Sequence, residues 1–331
     1  MNPTSAILAV TLNCNARCTM CDIWQNNMTN ELKPEEYALL PASLRDINIS
    51  GGEPFLRKDL PEIISVLKDR CPAARFVIST NGFLPQRIDK LVTRILQDIP
   101  SLAVRVSIDG LHETHDEIRG IDQGFSKCLQ TLEGLRALGV SDLGIGFTIL
   151  KRNLHELPQV YEFAEQHHLQ LSVTLATDSS IFFGTDKQAM RPEADAKLDH
   201  ILRGLSRREY KKMTPKHWFR GWFADSLRQY AFDGQRPLTC DAGSGFFYLD
   251  SLGNVFGCHL LPNKMGNLRE NTWDAIWTSA DGVKARDEAK GCHDCWMVCT
   301  SKSAIRRNLP VLAVQAALGK ARSHLARDPW V

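Results

Sequence analysis

The chain has 331 residues, 43% of them hydrophobic and 24% charged, with a formal net charge of +2. That length suits one large domain plus a smaller one, and a charge so near balance argues against nucleic acid as an obligatory partner. No apolar run approaches the ~18 residues of a membrane span, and the N-terminus MNPTSAILAVTLNC has no basic leader region and no cleavage pattern. A cytoplasmic protein without a transmembrane segment is expected.

Six apolar strand-like runs follow one another in the first half: 6–12, 46–50, 75–80, 103–108, 143–150 and 169–175. Helix signals separate them, at Pro34-Glu35-Glu36 and near 60–70, 85–98, 125–138 and 156–167. Alternating strand and helix predicts an α/β fold with a parallel sheet and right-handed crossovers. A closed eight-fold barrel takes ~250 residues, so a partial, open (β/α)6 TIM-like barrel over 1–180 fits better. Segment 181–237 reads as a helical bridge rich in bases and aromatics, among them Arg203, Lys211, Lys216, Trp218, Trp222 and Tyr230. Two readings of it stand side by side: a solvated helix pair, or a wall of the substrate site that attracts an anionic group. Segment 238–302 turns to Gly, Asn, Cys and short β runs, with FFYLDSLGNVFGC as a hairpin. Segment 303–331 reads as a basic amphipathic helix that closes the open barrel.

Ten cysteines are present, and eight fall into two groups. Disulfides are not expected in a cytosolic chain, and grouped cysteines there read as metal ligands. Cys71 and Cys128 stand alone and read as small buried hydrophobes. Cys14, Cys18 and Cys21, spaced CxxxCxxC, lie in the loop after the first strand. Three thiolates bind three irons of a [4Fe–4S] cubane and leave the fourth iron open. A structural zinc site wants four protein ligands, and this loop adds no His.

Further motifs follow in order: Gly51-Gly52-Glu53-Pro54 after the second strand, Ser79-Thr80-Asn81-Gly82 after the third, Ser107-Ile108-Asp109-Gly110 at the end of the fourth, then Arg119-Gly120, then Asn153 after the fifth. With the cysteine loop, this series resembles the radical S-adenosylmethionine (SAM) superfamily over residues 5–180. The resemblance implies that Gly51, Gly52, Glu53 and Pro54 meet the SAM amino group. It places Thr80 and Asn81 near the SAM site, sends Ser107 and Asp109 toward the ribose, and pairs Arg119 with the SAM carboxylate. Asn153 matches a polar position near the ribose. Two departures stand out: Met20 occupies a position that is often aromatic, and Gly144-Ile145-Gly146 lacks the glutamate of the fifth-strand motif.

Cys240, twelve residues, Gly253, four residues and Cys258, followed by Cys292, Cys295 and Cys299, are similar to the auxiliary-cluster domain called SPASM and its shorter form, Twitch. Five cysteines stand for four ligand positions, so one auxiliary [4Fe–4S] cluster is expected, and the cysteine left over is not fixed. The implied chemistry is reductive cleavage of SAM, with an electron from a flavodoxin- or ferredoxin-type donor, and abstraction of hydrogen from a substrate C–H. The net reaction is read as oxidation or epimerisation of a sugar, aminocyclitol or other small polar molecule. The alternative is radical modification of a ribosomal peptide or protein. A reading from a different class is a non-catalytic zinc-binding interaction protein.

Overall fold

The computed structural model describes residues 2–177, 190–325 and 330. Six strands are β1 Ser5–Thr11, β2 Asp46–Gly51, β3 Arg75–Thr80, β4 Ala103–Ser107, β5 Asp142–Ile149 and β6 Gln170–Leu175. They pair in parallel with their sequence neighbours. The crossovers are α1 Leu60–Arg70, α2 Pro85–Asp98, α3 His112–Arg119, α4 Gly124–Ala137 and α5 Leu157–Gln166. Prolines in the first turn of α1, α2 and α5 sit where no intrahelical N–H is needed. The signal at Pro34 gives only a 3-10 turn, Pro34–Leu39, because Leu40 and Pro41 continue in extended backbone. Helix α3 was not legible from periodicity; it is short and half polar.

Strand alternation sorts the side chains. Ile47, Ile49, Phe76, Ile78, Val104, Val106 and Ile145 face outward into a core shared with Ile63, Leu67, Ile88, Val92 and Leu135 of the helices. Full burial of each such side chain stabilises by roughly 1.5–3 kcal/mol. The opposite face carries Asn48, Ser79, Ser107, Gly146, Thr148, Ser172 and Thr174, and these line a cavity of about 600 Å³.

The sheet does not stop at six strands. β7 Phe246–Leu249 adds in parallel beside β1, and β8 Asn254–Phe256 and β9 Lys264–Asn267 continue it antiparallel, giving the order β6-β5-β4-β3-β2-β1-β7-β8-β9. The β7–β8 pair is the expected hairpin. Its turn is set by Asp250, whose carboxylate accepts from Leu252 N at 2.9 Å and Asn254 N at 2.8 Å.

Helices α6 Ala196–Lys211 and α7 Pro215–Asp233 form the bridge, α8 Trp273–Thr278 and α9 Ala280–Lys290 follow the hairpin, and α10 Val298–Arg307 and α11 Leu309–Leu325 end the chain. The open side of the barrel is covered by α6, α7 and α10, through Leu205, Phe223, Leu227 and Lys302. The expectation that the tail closes the barrel is corrected: α11 packs on the outside of the α6–α7 pair. Gln315 there accepts from Trp222 Nε1 at 2.9 Å, and Lys320 donates to the carbonyls of Tyr210 and Lys212. The expected boundary at 180/181, the start of the bridge at 181–189 and the tail positions 326–329 and 331 lie outside the described residues. No described helix is long and apolar enough to cross a membrane.

Candidate active site

The three N-terminal cysteines lie where β1 ends, and the loop that carries them is held from both sides. Asn13 fixes its far end, donating to Met28 O and accepting from Met28 N. The middle is tied to the C-terminus of α3: Arg17 N donates to Arg119 O at 3.0 Å and Thr19 N to Ile118 O at 2.8 Å. Gly120 ends that helix in the left-handed region, and a Cβ on it would stand 2.4 Å from Arg17 O. Burial pushes the Cys14 thiol up to about 11 and that of Cys21 to about 12, so a metal must displace protons as it binds. The loop and its neighbours also supply donors to sulfur. Ala16 N points at Cys14 Sγ at 3.5 Å, Asn81 Nδ2 approaches it at 3.9 Å, and Arg119 Nη1 reaches Cys18 Sγ at 3.7 Å. Hydrogen bonds to sulfur are a lever by which proteins tune iron–sulfur clusters.

The GGEP turn packs directly on that loop. Gly52 N donates to Thr11 O at 2.8 Å and Glu53 N to Asn13 O at 2.9 Å. Glu53 is fully buried, and its carboxylate accepts from Phe55 N, Thr80 Oγ1 and Asn81 N at 3.1, 2.8 and 2.7 Å. Burial raises its carboxyl to about 7 despite these bonds. Pro54 opens the short turn that follows. Thr80 and Asn81 are buried beside Glu53, and Asn81 Nδ2 donates to Asn15 Oδ1 at 2.7 Å. The predicted residues at the ends of β2 and β3 are thus brought together, with Glu53 bracing the loops rather than pointing a free carboxylate outward.

At the end of β4, Asp109 is fully buried. One oxygen accepts from Thr148 N at 2.6 Å and the other stands 2.5 Å from Arg119 Nη2. Its backbone N–H donates to His115 Nδ1 at 3.1 Å. Asn153 is equally committed: its amide donates to Asp109 O and Thr148 O and accepts from Leu150 N. Through these bonds both residues hold the ends of β4 and β5, and Ser107 lines the cavity. Arg119 stays charged against burial because Asp109 and Cys18 hold its pKa up. Its Nε is a buried donor with no acceptor among the described residues, and the guanidinium borders the cavity. A ligand carboxylate placed there, beside the cysteine loop, would satisfy it; this is the fit that SAM requires.

The second cysteine group sits on the other side of β1. Cys240, Cys258 and Cys295 are buried among Ile7, Ala9, Phe246 and Tyr248, and Cys14, Cys21 and Cys299 pack against that same apolar core. Arg236 is buried and donates to Cys295 Sγ at 3.2 Å and Cys295 O at 2.7 Å, and its charge opposes the burial that holds the Cys295 thiol above its usual range. Cys292 is half-buried and donates to Asp294 at 3.4 Å, whereas Cys299 lines the cavity. Among the described residues, no three His, Cys, Asp or Glu converge tightly enough to hold a single metal ion. A cubane spreads its ligands over separate irons and does not ask for that convergence. Cys71 and Cys128 are buried in the barrel core, as expected, and neither lines the cavity. What the sequence reading missed is the inward polar face of the strands, visible as the alternation in DINIS, RFVIST and QLSVTL.

An α/β barrel with a three-cysteine loop at the mouth and a second cysteine group beside its first strand defines an iron–sulfur enzyme of the radical type. The chain belongs to the radical SAM superfamily: residues 8–164 match that family, and residues 240–296 match SPASM, an iron–sulfur cluster-binding domain. The AdoMet-dependent heme synthase of Methanosarcina barkeri is 30% identical over 322 residues, covering 86% of each chain. The Fe-coproporphyrin III synthase of the same organism is 34% identical over 167 residues, 48% of this chain and 40% of that protein. Among solved structures, anSMEcpe with bound AdoMet and the Cp18Cys peptide shares the fold, with a TM-score of 0.65 at 16% identity over 95% of this chain and 99% of that one. SAM, a [4Fe–4S] cluster and an auxiliary iron–sulfur cluster are therefore the cofactors of this enzyme.

Proposed function

We propose that this enzyme oxidises a compact small molecule held inside the barrel. One observation carries the reading: a cavity of about 600 Å³ reaches from Arg119 and Ser107, beside the cysteine loop, to Met297 and Cys299, which lie two and four positions after Cys295. When bound and reduced by a flavodoxin- or ferredoxin-type donor, the N-terminal cluster supplies the electron that splits SAM into methionine and the 5′-deoxyadenosyl radical that takes hydrogen from substrate. Cys14, Cys18 and Cys21 hold that cluster, and Arg119 Nε takes the SAM carboxylate. Glu53 and Asp109 fix the loops that carry these groups, so the reacting atoms are held on rigid strand ends. Ser107, Thr148 and Ser172 orient substrate hydroxyls from the sheet side. Phe219 and Phe223 cover the opposite side and keep water from the radical. Loss of one hydrogen atom, then a proton and an electron toward the auxiliary domain, makes the net change a two-electron oxidation.

The test is a screen of anaerobic, reconstituted enzyme with SAM and a one-electron reductant. Hexose phosphates, aminocyclitols, iron coproporphyrin III (which appears in a relative's name) and a pool of ribosomal peptides are compared for stimulated release of 5′-deoxyadenosine. A small molecule is expected to stimulate and to yield a product lighter by two hydrogens. A product of unchanged mass that takes up solvent deuterium would mean epimerisation. A control variant addresses the cavity itself: a Cβ on Gly146 meets nothing within 4 Å, so Gly146→Leu fills open space. It is expected to cut stimulation at least about tenfold, the effect of a lost near-attack position. Stimulation by peptides alone, or full stimulation in Gly146→Leu, would overturn the reading.

A further inference from the structure

The strands begin with a second set of polar groups, at the end of the cavity away from the cysteine loop. Asp142 opens β5, Gln170 opens β6, and Arg105 is third in β4. They are linked. Arg105 and Arg75 each reach Asp142 at 2.6 Å, Gln170 Nε2 donates to Asp142 at 2.9 Å, and Gln170 Oε1 accepts from Arg105 at 3.1 Å and from Arg220 at 2.9 Å. In a closed barrel this end serves stability. Here the cations on the cavity wall, Arg75, Arg105, Lys216, Arg220 and Lys302, outnumber the carboxylates, Asp142 and Glu209.

The carboxylates at this end are already spent. Asp142 pairs with Arg75 and Arg105, Asp46 with Lys302 and Arg306, and Glu209 with Lys212 and His217. Arg220 and Lys216, one turn apart at the start of α7, both line the cavity. Neither pairs with a carboxylate among the described residues. Arg220 makes one hydrogen bond, to a neutral amide. Although its side chain reaches solvent, desolvation at the cavity wall, opposed by the nearby Asp142 and helped by Arg220, Arg105 and Arg75, pulls the Lys216 ammonium below its usual range. Two cations with no paired carboxylate of their own at this end of the cavity form an anion receptor: a planar fork beside a point charge.

We propose that Arg220 and Lys216, backed by Arg105, seat the anionic end of the substrate, a carboxylate or a phosphate, with its reacting carbon directed toward Ser107 and Arg119 at the opposite end. This rests on the substrate occupying the barrel cavity, as proposed above. The ligand class is an elongated small molecule with an anionic tail, its body lying between the hydroxyl-lined sheet and Phe219 and Phe223.

Calorimetry on anaerobically reconstituted full-length enzyme, with pyrophosphate and glutarate titrated separately at fixed ionic strength, tests this. One-site binding of at least one probe is expected, weakened at least about tenfold in Arg220→Gln/Lys216→Gln and unchanged in Arg94→Gln, a surface cation on α2 paired with Glu62. Preference for pyrophosphate identifies a phosphate tail, and preference for glutarate a carboxylate. Single Lys216→Gln, at an exposed position, keeps the test valid if the double variant fails to fold, and is expected to weaken binding by a smaller factor. No saturable binding of either probe, or variants that bind as tightly as the wild type, would overturn the proposal. SAM cleavage by the wild type, measured on the same preparation, separates the two readings. Cleavage without anion binding removes only the anion seat, and absence of cleavage removes the radical reaction proposed above.

Discussion

Glu53 and Asn153 are polar residues in motif positions, and the structure spends both on protein. The partners of Glu53 at Thr80 and Asn81 are 27 and 28 positions away, so no local pattern marks the carboxylate as a brace between two strand ends. His115 is a sharper case. It is fully buried, its Nδ1 accepts from Asp109 N, and Nε2 faces Cys128 Sγ at 3.7 Å. Burial, aided by the nearby Arg119, lowers its pKa to about 3. The unfolded chain, with an ordinary imidazole near 6.5, then binds one more proton throughout the window from pH 6.5 to about 3. Stability present above that window is lost as pH falls into it, by about 2 kcal/mol at pH 5. Glu53, raised to about 7, adds a slope of opposite sign over the same range, so the His115 part is read as a difference. In denaturant melts the wild type should lose about 2 kcal/mol between pH 7 and pH 5 relative to His115→Asn, whose side chain does not charge. Equal slopes in both proteins would refute the assignment. The sequence gives His115 no mark at all, since only the fold takes it out of water.

The strands and most crossover helices were legible because each strand carries an apolar outer face and three of the helices, α1, α2 and α5, a proline in the first turn. The inner face was written in part, as the polar alternation of β2, β5 and β6, but it reads as a site only once the sheet is known to curve round it. The pairing of β7 with β1 was not legible, because a four-residue strand has no periodicity long enough to betray a parallel partner over two hundred residues away. The glycines of the GGEP turn show what element packing demands. A Cβ on Gly52 would lie 2.1 Å from Asn13 O and 2.9 Å from Leu12 O, and both are backbone atoms of the loop after β1. Gly52→Ala must therefore part the ends of β1 and β2. It is expected to cost about 2 kcal/mol or more and to lower iron uptake at the cysteine loop. Thermal unfolding together with iron content checks this, and an alanine variant with wild-type iron and stability would show that the two strand ends are not held this closely.

At the scale of the whole molecule, the two cysteine groups share one apolar core around β1, so the auxiliary domain is built onto the barrel. Sequence spacing identified both groups but left five cysteines for four auxiliary positions. Folding sorts them by surroundings. Cys240, Cys258 and Cys295 are buried together, while Cys292 and Cys299 stand at the margins, one beside Asp294 and the other on the cavity wall. Cys292 neighbours Cys240 and Cys295, and Cys299 neighbours Cys258 and Cys295, so both compete for the fourth position; the matched iron–sulfur domain takes in Cys292 and ends at residue 296, before Cys299. Cys299 is therefore predicted to be the free thiol. After anaerobic reconstitution, the wild type should hold about eight irons, from two cubanes of four. Cys14→Ala/Cys18→Ala/Cys21→Ala and Cys258→Ala should each fall to about four, by loss of one cubane. Cys299→Ser should keep about eight, both cubanes being intact, and iodoacetamide should label Cys299 in the loaded wild type through the cavity. If Cys299→Ser falls to about four and Cys292→Ser does not, the ligand set is exchanged and an auxiliary iron lies directly in the substrate cavity. Zinc in place of iron at both groups would remove the cubane assignment altogether, and with it the proposed two-electron oxidation, which needs an acceptor for the second electron.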